Sequence, residues 1–316
     1  MRAVIITAMN TRDIILSRLY AGSVSGEELA SELGMTRAAV WKVIRQLSAE
    51  GYRIRSSRKG YRLEGGDLIS EAGVRNYLTT DWAVETHRSL TSTNDRAKVL
   101  AEAGADMTAV IADAQLSGRG RLGRTFFSPS GGLYLSAVVR PHVKATECVR
   151  ITAYAAVAAA RAVERENGLR VNIKWVNDLY VRGKKICGIL TEGGFGMESG
   201  ELAYAVIGIG VNIRCDGLPD ELSSRATGIE NESGRAVDRC RLAAAILDEL
   251  SCLDAGLPDD FVREYVSRSC VIGRRVTVDG MYEATAEDIA EDCSLILRKD
   301  DGEQVRFSAG EVSLKL

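Results

Sequence analysis

Gly118-Arg119-Gly120-Arg121-Leu122-Gly123-Arg124 is a loop, and the strands on either side of it decide the fold. Thr108–Ala112 before it reads as a buried strand, and Leu133–Val139 (LYLSAVV) after it as another. Further out, Val171–Trp175 is a strand. Leu179–Val181 and Lys185–Glu192 form a hairpin around Gly183-Lys184, and Leu202–Val211 is one more strand. Two long helices accompany them. Glu147–Asn167 carries Val149, Thr152, Ala153, Ala156, Val157, Ala160 and Val163 on one stripe and stops at Gly168, and Leu242–Cys252 follows later. Strands outnumber helices and run as hairpins, so the centre is predicted to be α+β, a mixed sheet with helices on one side.

The loop itself sets three arginines among three glycines with no acid between them. Each guanidinium is a rigid fork of donors suited to phosphate or carboxylate, and glycine lets the backbone approach a ligand closely. Such a loop is expected to order when an anion binds. By itself it equally suits a solvated basic turn or a nucleic-acid arm.

The first sixty-odd residues have a different logic. Arg12–Leu19 has helical spacing at Ile14, Ile15 and Leu19. Ser25 and Glu28 make a capping box for a second helix that ends at Gly34. Thr36 caps a third, Arg37–Ala49, ended by Gly51. Two short strands, Tyr52–Ser56 and Gly60–Leu63, form a wing. This is a winged helix-turn-helix, in which the second helix of the motif enters the major groove. Ser25, Thr36, Arg37, Ala38, Trp41, Lys42 and Arg45 are the candidates for DNA contact on the helices, and Arg55, Arg58 and Lys59 on the wing. From Arg37 to Arg62 there are eight basic residues against one acid, Glu50. A winged helix that binds only protein is the alternative. Glu64-Gly65-Gly66-Asp67 reads as the linker that follows.

The whole chain of 316 residues allows two or three domains, and its net charge of −2 marks no global affinity for nucleic acid. Seven scattered cysteines with no C-x-x-C pair read as reduced thiols, which predicts a cytoplasmic protein without a disulfide frame or zinc site. Two histidines, His87 and His142, argue against a histidine metal centre or a Ser-His-Asp triad, and no metal site is expected. No signal peptide or membrane span is legible. At the other end, Arg274–Val278, Met281–Ala286, Ser294–Arg298, Gln304–Phe307 and Glu311–Leu314 alternate, with Asp279-Gly280 and Asp301-Gly302 as hairpin turns. They predict a small SH3-like β-barrel packed on the central part. The expected boundaries are 1–66, 67–270 and 271–316.

Five motifs occur in order: Ser92-Thr93-Asn94; Gln115-x-x-Gly118 through Arg124; Lys174-Trp175-x-Asn177-Asp178-Leu179-Tyr180; Lys185-x-x-Gly188-Ile189-Leu190; and Gly208-x-Gly210-x-Asn212. Together they resemble biotin protein ligase, whose catalytic domain is class II synthetase-like. The winged helix preceding them resembles the bifunctional subclass that is also the biotin operon repressor. The resemblance implies that biotin and ATP, with Mg²⁺, are substrates. Biotinyl-5′-AMP forms first, and biotin then passes to a lysine of a carboxylase biotin carrier protein. It also implies operator DNA as a partner and a homodimer when liganded.

By that resemblance Ser92, Thr93, Asn94, Gln115, Arg119, Gly120, Arg121, Lys185, Gly188, Leu190, Gly208 and Gly210 bind biotin. Arg119, Arg121, Arg124, Lys174, Asn177, Asn212 and Lys315 serve the nucleotide. Lys185, Arg119 and Arg121 are the catalytic set, and Phe126 is expected to cover the ligand where the family has a tryptophan. Read from the residues alone, Lys185 also fits a hairpin surface, Ser92 or Thr93 a helix N-cap, and the glycines tight strand packing. The chemistry suits the residues. A carboxylate is already ionised at neutral pH, so its attack on phosphorus needs no base, only positive charge and alignment. The later attack by a lysine amine does need a proton acceptor, and the sequence singles out none; Lys174 and Asp178 are the residues that could assist. Three departures stand out: Val176 replaces a proline and is expected to loosen its turn, Arg214–Asn231 contains no tryptophan for adenine, and Lys315 stands where some members have an arginine. A ligand-sensing regulator without turnover, and a lipoate-type ligase, are the competing readings.

Overall fold

The computed structural model describes residues 10–141, 143–144, 147–195, 201–215, 218–258 and 260–314. It begins with α1 (Thr11–Ala21), α2 (Gly26–Glu32), α3 (Arg37–Glu50), β1 (Arg53–Ser57) and β2 (Gly60–Gly65). Local chemistry sets these limits. Ser25 and Glu28 satisfy each other's backbone N–H groups in a capping box. Thr36 Oγ1 accepts from Ala39 N at 3.2 Å, and left-handed Gly51 ends α3. Ile15, Leu16, Leu29, Val40, Ile44 and Leu47 pack beneath as a small core.

The stretch expected as a linker is partly strand, since β2 runs to Gly65. Asp67 is an anchor. Arg239, only 4% exposed, donates to Asp67 Oδ1 at 2.6 Å and to its carbonyl at 2.5 Å. The same guanidinium donates to Asp113 Oδ1 at 2.5 Å and to the Gly132 carbonyl at 2.8 Å. Next comes α4 (Glu71–Tyr77), which packs on α1 with Tyr20 and Tyr77 edge to face at 6.4 Å. The N-terminal module is therefore docked on its neighbour.

The central part follows as β3 (Ala83–Leu90), α5 (Thr93–Glu102), β4 (Thr108–Gln115), β5 (Leu133–Val139), α6 (Cys148–Asn167), β6 (Asn172–Lys174), β7 (Asp178–Val181), β8 (Lys184–Phe195) and β9 (Leu202–Val211). Two short helices, α7 (Asp220–Ser223) and α8 (Ile229–Ser233), precede α9 (Arg239–Leu250) and α10 (Phe261–Ser267). The sheet order is β3-β4-β5-β9-β8-β7-β6. β3 and β4 are parallel and the other neighbours antiparallel. Adjacent residues of a strand face opposite ways. Ala109, Ile111, Ala137, Val139 and Ile207 pack in the core that contains α6 and α9. Val110, Val138 and Val206 pack under Ala97 and Ala101 of α5. The two long helices share one face, and α5, which opens the first motif, lies on the other.

The C-terminal strands β10 (Arg275–Val278), β11 (Tyr282–Ile289), β12 (Leu295–Arg298), β13 (Gln304–Phe307) and β14 (Val312–Leu314) form an antiparallel sheet ordered β13-β12-β11-β10-β14. No ladder joins β13 to β14 among the described residues, so the sheet is open, an arrangement compatible with the SH3-like barrel. Asp279 (φ 48°) and Gly280 (φ 70°) supply the left-handed pair of a tight hairpin turn. Val276, Val278, Leu295 and Leu297 join the central core, and the Trp175 indole donates to the Cys293 carbonyl at 2.9 Å. No described helix is long and apolar enough to cross a membrane.

Candidate functional site

A cleft opens where the start of α5, the arginine loop, β8, β9 and the turn before β14 converge. Its empty space, including the solvent mouth, is about 980 Å³. Every residue expected to bind biotin lines it, as do Arg124, Lys174 and Asn177. Asn212 does not line it; its N–H bonds the Ile186 carbonyl and its carbonyl accepts from Ile229 N. Lys315 lies outside the described residues.

Strand register builds the floor. Gly188 pairs with Gly210 and Leu190 with Gly208 across β8 and β9. A Cβ on Gly210 would stand 2.5 Å from the Phe126 ring, and one on Gly208 would stand 2.2 Å from Asn94 Oδ1. Thus Phe126 lies against the glycine floor, edge to face with Tyr134 at 6.4 Å.

The polar end is a connected network. Ser92 caps α5 through Asp95 N at 3.4 Å. Thr93 donates to Gln115 Oε1 from its N–H at 2.9 Å and its hydroxyl at 3.1 Å. Gln115 Nε2 donates to Ser128 Oγ at 3.0 Å, and Ser136 Oγ donates to Asn94 Oδ1 at 2.6 Å. Asn94 Nδ2 donates to Glu192 Oε2 at 2.8 Å and to the Leu190 carbonyl at 3.3 Å. The Asn94 N–H groups are therefore both used, and one lone pair on Oδ1 remains for a ligand donor. Gln115 keeps one N–H for a ligand acceptor.

The cationic clasp is not bare. Arg119 pairs with Asp95 and stands 3.4 Å from Glu192. Arg124 reaches Glu311, before β14, at 2.6 Å, and Arg121 donates to Asn177 Oδ1 at 3.5 Å. Lys185 Nζ sits 2.6 Å from Asp178 Oδ1 and 5.8 Å from the Phe126 ring centre. An anion entering the cleft would have to compete with these carboxylates for the cations. Burial pushes the Glu192 carboxyl up, but hydrogen bonds from Lys98 and Asn94 outweigh it and hold the group below the usual carboxylate range.

Sequence reading missed Ser136, Ser128, Glu192, Glu311 and the Asp95 pairing. The one visible signal was a serine inside the otherwise apolar LYLSAVV. The turn at Val176 is not loosened. Val176 is 4% exposed and accepts from the Tyr265 hydroxyl at 2.9 Å, and its peptide bond to Trp175 is cis. His87 pairs with Glu85 away from the cleft, and His142 lies outside the described residues. Among the described residues no cluster of metal-ligating side chains occurs.

A second candidate surface is the exposed face of α3. Arg37, Ala38, Trp41, Lys42 and Arg45 lie opposite buried Val40, Ile44 and Leu47. The Arg45 guanidinium sits 4.9 Å from the Trp41 ring centre. Arg58 and Lys59 are exposed at the wing tip, and Arg55 is within 3.5 Å of Glu64. Ser25 and Thr36 spend their hydroxyls as helix caps.

A winged helix-turn-helix docked on a mixed sheet that carries a cationic cleft, with a small C-terminal sheet, defines the class. Residues 12–62 match the HTH domain, 86–212 the Biotin/lipoate A/B protein ligase family, and 271–315 the Biotin protein ligase C terminal domain. The chain is 33% identical to the bifunctional ligase/repressor BirA of Bacillus subtilis, over 94% of this chain and 97% of that one. It is 30% identical to BirA of Escherichia coli, over 92% of each. The biotin protein ligase of Aquifex aeolicus, solved with biotin and ATP, superposes with a TM-score of 0.62 at 26% identity, covering 74% of this chain and 98% of that one. The chain belongs to the BirA family of bifunctional ligase/repressors.

Proposed function

We propose that this protein activates biotin with ATP and transfers it to a lysine of a carboxylase carrier protein, and that it represses transcription at an operator in response to biotin. The observation that carries the reading is a single cleft that gathers Arg119, Arg121, Lys185 and the polar set Thr93, Asn94 and Gln115. In the first step a biotin carboxylate oxygen attacks the α-phosphorus of ATP and pyrophosphate leaves. Two anions must meet, and Lys185 with the arginines supplies the opposing charge. Arg124, Lys174 and Asn177 serve the nucleotide, and Mg²⁺ arrives with ATP as part of that substrate. In the second step the carrier lysine amine attacks the acyl carbon and AMP leaves. Asp178, which pairs with Lys185 in the cleft, and Lys174 are the two candidates to take the proton.

The exposed basic face of α3 and the wing tip support the DNA contact. We assign 1–66 to DNA binding, 67–270 to catalysis and 271–316 to closing the nucleotide side. The adenylate promotes a homodimer that presents two winged helices to a palindromic site. Among the described residues no disulfide joins any of the seven cysteines, which suits the cytoplasm. The test incubates the full chain with biotin, ATP, Mg²⁺ and a carboxylase carrier domain. Biotin-dependent pyrophosphate release and a biotinylated carrier lysine are expected; their absence with folded protein refutes the ligase reading. Sedimentation with saturating biotin and ATP tests the dimer, which a persistent monomer would refute.

A further inference from the structure

Glu192 lies outside the cleft lining yet touches two residues assigned to biotin. Its Oε2 accepts from Asn94 Nδ2 at 2.8 Å and stands 3.4 Å from Arg119 Nη2. Its Oε1 accepts from Lys98 Nζ at 2.5 Å. Lys98 is four residues beyond Asn94 on α5, so both side chains leave the same face of that helix and meet one carboxylate on β8. We propose that Glu192 and Lys98 are a positioning pair for biotin recognition: the carboxylate fixes which end of the Asn94 amide meets the ligand, and the ammonium holds the carboxylate in place. The proposal rests on the ligase reading above.

The argument is one of donors and acceptors. Biotin's cyclic urea carries two N–H donors and one carbonyl acceptor. An asparagine whose N–H groups both bond protein acceptors offers only its oxygen, and so reads an N–H. Take the charge from Glu192, and the amide loses the charge-assisted bond that selects this orientation; a glutamine there can turn its own NH2 toward Asn94. Gly208 leaves no room on the strand side for the amide to slide aside. The same carboxylate stands 3.4 Å from Arg119, whose closer partner is Asp95, so the arginine loop keeps its main anchor when Glu192 is replaced. The side chains of Lys98 and Glu192 remain 30% and 25% exposed, a setting in which an ion pair adds little to stability. A purely structural pair therefore predicts little effect on ligand.

The test uses full-length Glu192→Gln, Lys98→Met, Lys98→Arg and the Glu192→Gln/Lys98→Met double variant in biotin-dependent pyrophosphate release. Glu192→Gln is expected to raise the biotin KM about tenfold while kcat and the ATP KM stay within about twofold. Lys98→Met should do the same more weakly, Lys98→Arg should restore wild-type behaviour, and the double variant should be no worse than Glu192→Gln. In Lys98→Met the acid limb of kcat/KM for biotin should move to higher pH, because Glu192 then protonates more readily. An unchanged biotin KM, equal rises in both KM values, a fall in kcat alone, or additive effects in the double variant would overturn the proposal. A wild type that releases no pyrophosphate would instead refute the ligase reading.

Discussion

Replacing Gly208 with alanine is the sharpest probe of the cleft. An added Cβ would lie 2.2 Å from Asn94 Oδ1, 2.9 Å from Cγ and 3.0 Å from Nδ2. Every atom of the amide is too close, so turning it over relieves nothing and the side chain must leave. Its departure breaks the bonds to Ser136, Leu190 and Glu192. Overpacking of this kind costs about 1–3 kcal/mol of stability. Ser136 keeps Thr93 and Glu192 keeps Lys98 as partners, but the ligand loses its acceptor and a buried N–H of biotin goes unpaired, a penalty of about 2–3 kcal/mol in affinity or roughly 30- to 150-fold in Kd. Titration calorimetry with biotin measures the affinity, and a thermal melt checks folding. Asn94→Ala removes the collision, so Gly208→Ala added to Asn94→Ala should cost almost nothing further. Biotin affinity within about threefold of wild type in the folded single variant, or full additivity in the double, would refute the reasoning that this glycine exists to seat Asn94.

Other outcomes follow from the same geometry. Lys185→Ala should lower the single-turnover rate of adenylate formation by about 100-fold or more with little change in melting temperature; a variant retaining a tenth of the rate means that charge is neutralised elsewhere. Arg239→Met removes the buried guanidinium that Asp67 and Asp113 share, while Asp67 keeps Arg214 and Asp113 keeps Ser130, and should cost about 2–3 kcal/mol in denaturant unfolding. Burial raises the Asp113 carboxyl, but Ser130 and Arg239 outweigh it and hold it low. Its stabilisation is therefore present above the ordinary carboxylate value, about 3.9, and lost as pH falls through the lower folded value. The gap between wild type and Arg239→Met should accordingly narrow in acid, and a gap independent of pH contradicts the assignment. Arg58→Ala and Lys59→Ala should each weaken binding to all DNA sequences alike and flatten the salt dependence by about one unit, read by fluorescence anisotropy; a change for one sequence only would mean base contact.

Legibility followed the range of the determining interaction. Ser25, Glu28, Thr36 and Gly51 fix their helices through neighbours within a turn, and the Asp279-Gly280 hairpin is equally local. α4 and α10 escaped because seven residues make too little periodicity, and β3 because it alternates weakly as an edge strand. The cleft's first layer was visible as motifs. Its supports were not: Ser136 meets Asn94 across 42 positions and Glu192 across 98. Only the sheet register and the placement of α5 bring them together. The arginine loop carries no acid of its own, so its partners Asp95, Glu192 and Glu311 had to come from elsewhere in the chain.

The indole of Trp175 donates its N–H to the Cys293 carbonyl, and the Phe307 ring lies tilted against it at 5.4 Å. Cutting the polypeptide near residue 270 would strip an oily flank from the catalytic half and strand that indole proton. The last strands behave as a keystone rather than a tail. A shortened enzyme should clump on expression instead of surviving as a smaller one, and exchange of this end between relatives should succeed only when Trp175 and its receiving surface travel together.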